Sequence, residues 1–154
     1  MRSQVEVVPA SGPDKAVTFS ATGERVTMGM HGALAEFYGA HPEEIEAKAS
    51  TLDFVVGATT ACLLGTFRRA LTAREVSFDG LVAQGTGHIV VEKDVPVLRS
   101  IDIEYRLTGT SAAQRTVLER AHDVHDRACA VSRSLAGAIE IRTTLVVEGL
   151  REDD

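Results

Sequence analysis

From its first residues the chain alternates apolar and polar positions: Val5 and Val7 stand against Gln4 and Glu6, the period of a half-buried strand. A Ser11-Gly12-Pro13-Asp14 turn leads to a second run over residues 16–21, and Thr22-Gly23-Glu24 leads to a third at Arg25-Val26-Thr27-Met28. The pattern predicts a strand-turn-strand meander. Between His31 and Ala49 the alternation is lost. Gly32, Gly39 and Pro42 mix there with Glu43, Glu44 and Glu46, predicting a connector with one helical turn after Pro42. At Ser50 the pattern changes again: Ser50-x-x-Asp53 fits a capping box, and an almost unbroken apolar segment runs to Leu71 before the charged Arg74-Glu75. That is the signature of a long buried helix. Its small residues Gly57, Ala58 and Ala61 would let another backbone approach closely, and Cys62 falls in its middle.

Residues 76–107 return to strand alternation, as Leu81-Val82-Ala83, Gly87-His88-Ile89-Val90-Val91 and Leu98 to Leu107, and three antiparallel strands are expected, with Gly85-Thr86-Gly87 as a connecting turn. Ser111-x-x-Gln114 predicts the cap of a second helix, whose apolar positions Ala113, Val117, Leu118, Ala121, Val124 and Ala128 recur at helical spacing. Ile139 to Val147 predicts a closing strand, followed by an acidic, frayed end from Glu148 to Asp154. Strands, helix, strands, helix, strand is an α+β order, and with no repeat or long linker in its 154 residues the chain is expected to be a single domain, 1–154.

Charge and composition narrow the function. The net charge is −6, and Lys and Arg form no run beyond Arg68-Arg69, so the basic footprint of a nucleic-acid binder is missing. No stretch has the length of a signal-peptide core or a membrane span, so the expectation is a cytoplasmic protein with neither nucleic acid nor membrane as partner. In a reducing compartment its two cysteines, Cys62 and Cys129, would be reactive or buried rather than permanently bridged.

The residues alone leave several roles open. Cys62, mid-helix, could be a small core hydrophobe; as a nucleophile it would need a cation or helix N-terminus nearby, with Arg25, Arg68 or His125 as candidates. Cys129 ends the second helix at an exposed-looking turn, and Ala130 to Leu135 could restart a helix whose first amides favour a thiolate. His122, His125, Cys129 and Cys62 could compose a zinc site, although Cys-x-x-Cys and His-Glu-x-x-His patterns are absent; otherwise His122 and His125 belong to a solvated helix face. His31, His41 and His88 read as surface or turn residues, and Asp53 as a helix cap or a group orienting an arginine.

Two segments carry a resemblance. The helix opening Ser50-Thr51-Leu52-Asp53-Phe54-Val55-Val56-Gly57-Ala58-Thr59-Thr60-Ala61-Cys62-Leu63 is similar to a Pro-x-[Glu/Asp]-apolar-Ala-Ala-x-x-x-Cys-apolar helix, and Ala128-Cys129-Ala130-Val131-Ser132 is similar to a Cys-Pro-Val-Ser segment. With the order of elements and the spacing of the cysteines, the chain from Ser3 to Val147 resembles the OsmC/Ohr superfamily, the osmotically inducible and organic hydroperoxide resistance proteins. The resemblance implies an α+β, OsmC-like fold of antiparallel strands, a long buried central helix and a second helix, in an intertwined homodimer. It also implies a hydroperoxide reductase in oxidative-stress defence, with Cys62 as peroxidatic thiolate and Cys129 as resolving thiol. A dithiol, small or carried on a lipoylated protein, would be the reductant, and neither metal nor other cofactor would be needed.

The chain departs from that pattern at identifiable positions. Family peroxidases carry a glutamate ten residues before the first cysteine; here Leu52 holds that place and Asp53 the next. They hold the thiolate with an arginine from the N-terminal strands, for which Arg25 is the candidate, without a Gly-Arg-Asp-Gly setting, and Ala130 replaces a proline. These departures motivate a second reading: a non-enzymatic protein of this fold that binds a small apolar or thiol-reactive ligand at the dimer interface.

Overall fold

The computed structural model describes residues 1–41, 43–78 and 80–148; Pro42 and most of the acidic end expected to fray, 149–154, lie outside them. The chain divides into two compact units, residues 1–54 and the remainder from Val55.

The first unit is an antiparallel sheet of β1 (Val5–Pro9), β2 (Lys15–Phe19) and β3 (Arg25–Met28), in the order β1-β2-β3. Val5 pairs with Phe19 and Lys15 with Met28, which is the meander predicted from the alternation. Ala16 and Val17 are its buried residues, and β1 is exposed along its length. The connector holds a short helix, α1 (Gly32–Phe37), that the glycine-rich sequence does not announce; Ala35 is its buried residue. Residues 43–44 form only a turn. Gly29 is required by space: a Cβ there would lie 2.6 Å from Asp14 Oδ1 and 2.9 Å from Lys48 Cβ, two residues joined by a 2.8 Å ion pair.

Helix α2 (Thr51–Thr72) starts at the capping box. The Asp53 amide donates to Ser50 Oγ at 3.2 Å, and Asp53 Oδ2 accepts from the Ser50 amide at 2.6 Å, so two amides left over at the helix start find partners. Thr59, Leu63, Phe67 and Leu71, four apart in sequence, make its buried stripe. Gly57, Ala58, Ala61 and Gly65 are exposed.

The second sheet has the order β4-β5-β6, from β4 (Val82–Glu92), β5 (Val95–Thr108) and β6 (Glu140–Glu148). Two long strands replace the three expected between residues 76 and 107. The expected turn at Gly85-Thr86-Gly87 is strand, and its glycines mark where α2 presses on the sheet: a Cβ on Gly85 would overlap Thr60 Oγ1, and one on Gly87 would lie 2.6 Å from Val56 Cγ2. The turn falls instead at Lys93 and Asp94, with φ of 48° and 63°, the positive values a two-residue hairpin demands. A bulge near Arg99 shifts the register, so that His88 pairs with Ser100 and Ile89 with Leu98. It lets Leu98 and Ile101 both be buried although three residues apart. Ile101, Ile103, Tyr105 and Leu107 continue that buried alternation.

The closing strand β6 runs parallel to β5, with Ile101 opposite Ile141 and Tyr105 opposite Leu145. A parallel return needs a crossover, here provided by α3 (Arg115–His125) and α4 (Ala130–Leu135). Ser111 does not cap α3 through its side chain; the Gln114 amide donates to the Ser111 carbonyl in a 3-10 turn at Ala112–Gln114 that precedes the helix. Leu118, Ala121 and His125 are the buried residues of α3. Among the described residues, no helix is long and apolar enough to cross a membrane.

The helix-to-strand approach at Gly85 gives a direct expectation. Gly85→Ala loses about 1–3 kcal/mol of stability, as overpacking does, measured by urea unfolding; a wild-type midpoint would contradict the close approach of Thr60 and Val56.

Candidate active site at the two cysteines

Four residues past the end of α3 stands Cys129. A 3-10 turn at Asp126–Ala128 carries the chain there, and the Cys129 amide donates to the Asp126 carbonyl at 3.0 Å. Cys129 then acts as the N-cap of α4, its Sγ accepting from the Ser132 amide at 3.4 Å. The sequence suggests an exposed or half-buried turn for it; the fold buries it fully, at 0% exposure. The spacing of the buried residues of α3, Leu118, Ala121 and His125, resumes at Cys129 on the far side of a 3-10 turn whose own residues are exposed.

Cys62 is the more accessible of the pair, half-buried on α2 and free, as is Cys129. Burial pushes its thiol up, but the Val131 amide, the Cys129 thiol and the Ala130 amide all donate toward its sulfur, and together they hold it below the ordinary thiol range. Cys129 moves the opposite way: burial and the neighbouring Cys62 sulfur push it up, against the Ser132 and Val131 amides. The arrangement favours an ionised Cys62 accepting a hydrogen bond from a protonated Cys129. The restart of a helix after Cys129 was legible in the sequence; that its first amides serve the other cysteine was not.

The remaining candidates are placed differently. His125 is no surface residue. It is 2% exposed, its Nε2 lies 2.8 Å from the Tyr105 hydroxyl, and its Nδ1 lies 2.6 Å from the His122 carbonyl. A carbonyl only accepts, so Nδ1 carries the proton, Nε2 accepts from Tyr105, and burial holds the imidazole below its usual range and neutral. His122 is likewise held down by burial and stacks on His125 with ring centroids 5.3 Å apart. Both His125 nitrogens are thus committed, and among the described residues no three His, Cys, Asp or Glu side chains converge as a metal-ligand set.

Among the described residues of the second unit no cationic side chain acts on Cys62, and Arg68 lies over the Phe78 ring, 5.2 Å from its centroid. Asp53, in the first unit, is engaged by Ser50 and by His31, whose Nε2 is 2.9 Å from Oδ2. Its carboxyl feels burial pushing it up, yet the Ser50 and His31 contacts hold it below the usual range. His31 is therefore a hydrogen-bond partner of Asp53, a role the connector's sequence does not signal. Arg25 is exposed on β3, and His88 pairs with Asp102 at 2.6 Å on the exposed side of β4 and β5.

Residues 44–144 match the family model described as OsmC-like protein. The chain belongs to the OsmC-like protein family. No curated protein matches it. Among solved structures it is similar to an OsmC-like protein of unknown function from Vibrio cholerae O1, with a TM-score of 0.75 at 14% identity over 95% of this chain and 99% of that one. It is similar also to an organic hydroperoxide resistance protein OsmC from Legionella pneumophila, with a TM-score of 0.66 at 12% identity over 96% and 98% of the two chains. The organic hydroperoxide resistance protein OhrB of Bacillus subtilis aligns with a TM-score of 0.63 at 11% identity over 95% and 98%. These likenesses establish the OsmC-like α+β fold, in which the crossover between β5 and β6 places the two cysteines together.

The two thiols are expected to separate on titration. Alkylation by iodoacetamide, followed by mass spectrometry across pH, rises first at Cys62, because a lowered pKa exposes thiolate at a lower pH; Cys129 reacts only at more alkaline pH. In Cys129→Ala the Cys62 midpoint moves toward alkaline pH, since one donor to its sulfur is lost. Equal profiles for the two cysteines would refute this electrostatic picture.

Proposed function

We propose that this OsmC-like protein reduces organic hydroperoxides through a Cys62–Cys129 thiol cycle in oxidative-stress defence. The observation that carries the reading is a pair of free thiols close enough to shift each other's ionisation in opposite directions, Cys62 toward thiolate and Cys129 toward thiol. Cys62 Sγ attacks the peroxide oxygen; an S–O bond forms as the O–O bond breaks, and the alkoxide takes up a proton and leaves as alcohol. Cys62 is then a sulfenic acid. Cys129 Sγ attacks that sulfur, the S–S bond forms, and the displaced hydroxide combines with the Cys129 proton as water. A dithiol, free or on a lipoylated protein, returns the pair to thiols by exchange and is itself oxidised. Such a cycle needs a reducing compartment, which supports a cytoplasmic location.

Activation in this reading falls to main-chain amides and the Cys129 thiol. Asp53 acts as the helix cap of α2. The cycle is tested with the purified protein, an organic hydroperoxide and a dithiol. Turnover is expected, Cys62→Ser abolishes it, and Cys129→Ser stops after one equivalent of peroxide with sulfenic acid at Cys62. Both thiols remaining reduced after stoichiometric peroxide would end the proposal and favour the ligand-binding reading, for which thermal stabilisation by an apolar ligand should survive Cys62→Ser.

The working form is a homodimer in this reading. Gly57, Ala58, Ala61 and Gly65 leave an outer stripe of small residues exposed on α2, and Val90, Val91 and Val95 are exposed at the β4–β5 hairpin tip. Gly57→Leu, which meets nothing within 4 Å inside one chain, is expected to give a folded monomer by light scattering where the wild type is a dimer. A wild-type monomer would refute the assembly.

A further inference from the structure

The Tyr105–His125 pair is buried beside the cysteines, yet the thiol cycle as written does not use it. Tyr105, on β5, is 0% exposed, and the one hydrogen-bond partner of its hydroxyl among the described residues is His125 Nε2 at 2.8 Å. His125 is the last residue of α3. The 3-10 turn from Asp126 to Ala128 then leads directly to Cys129, and each step is hydrogen-bonded: His125 Nδ1 to the His122 carbonyl at 2.6 Å, the Cys129 amide to the Asp126 carbonyl at 3.0 Å, and the Ser132 amide to Cys129 Sγ at 3.4 Å. Phe67 on α2 packs on both members of the pair, its ring centroid 4.7 Å from Tyr105 and 5.1 Å from His125. Sheet, crossover and the helix bearing Cys62 therefore meet at one buried hydrogen bond.

We infer that Tyr105 and His125 are positioning residues for the thiol pair: their hydrogen bond fixes the end of α3, and through it the placement of Cys129 and of the Ala130 and Val131 amides against Cys62. The inference rests on the thiol-cycle reading for its purpose, but its geometry stands on the pair itself. A phenol donating to a neutral imidazole is directional, unlike the aromatic packing around it. Removing the hydroxyl leaves a buried acceptor unsatisfied, and the helix end is free to shift toward another donor. Both steps of the cycle feel that shift, because the same short segment carries the resolving thiol and the amides that hold the attacking one.

Tyr105→Phe tests it, keeping the ring against Phe67 and deleting only the hydroxyl. Two readouts are taken on protein shown to be folded by circular dichroism: the rate at which diamide, an azo thiol oxidant that becomes the hydrazine, closes the Cys62–Cys129 disulfide, and the pH midpoint of thiolate absorbance at Cys62. Closure is expected to slow about tenfold and the midpoint to move toward alkaline pH. His125→Gln, whose side-chain carbonyl can still accept from Tyr105, should close faster than His125→Leu, which cannot; this comparison decides the matter if Tyr105→Phe does not fold. Wild-type closure and midpoint in Tyr105→Phe, or equal defects in the two His125 variants, would overturn the inference. If the wild type fails to reduce any organic hydroperoxide while these effects remain, the thiol-cycle reading falls and the positioning role stands.

Discussion

Helix α2 can serve as the spine of the second unit only because β4 lets it come close. Gly85 and Gly87 leave no Cβ where Thr60 and Val56 press on the strand, and at that separation Leu63, Phe67 and Leu71 reach full burial. Burying a side chain of this size contributes about 1.5–3 kcal/mol, so this stripe is a large part of what holds helix to sheet. The same approach sets the height of Cys62 above the sheet. A helix held one methyl group farther out would carry its sulfur away from the amides of Ala130 and Val131, and the thiol would keep only the cost of its burial.

Parallel pairing of β6 with β5 supplies the other half of the arrangement. A hairpin return would have needed only a few residues; the parallel return needs a crossover, and the crossover is where Cys129 sits. Its path is constrained at both ends by strands and in the middle by His125, so the break between α3 and α4 occurs at a fixed place. That break is chemically useful. It frees the amides of Ala130 and Val131 from intrahelical partners, and a neighbouring sulfur accepts from them.

Much of this was legible in the residues. The meander, the capping box Ser50–Asp53, the long helix and the alternation of β5 follow from period and cap, which are local properties. The pairing of Cys62 with Cys129 came through the resemblance of two short motifs, neither of which specifies geometry alone. What the sequence concealed depends on neighbours distant along the chain. Gly85 and Gly87 look like a turn until α2 is placed against them. His125 looks solvated because its partner, Tyr105, lies on another element, and Cys129 looks exposed because the buried spacing that reaches it is interrupted by an exposed, polar 3-10 turn. His31 could not be read as the partner of Asp53, since nothing in a glycine-rich connector fixes which way its histidine points.

The departures from the family pattern acquire a physical meaning here. A guanidinium beside a thiolate supplies a full charge, which acts over distance and tolerates small errors of placement. Main-chain amides and a neighbouring thiol supply directional donors, which lose their effect when geometry drifts. A site built on the second kind of stabilisation must be stiffer than one built on the first. The aromatic and imidazole rings of Phe67, Tyr105, His122 and His125, packed at centroid distances of 4.7–5.9 Å, provide that stiffness immediately behind Cys129. With Asp53 committed to the cap of α2 and, among the described residues of the second unit, no cation acting on Cys62, the ionisation of its sulfur rests on the amides and the thiol at the break between α3 and α4.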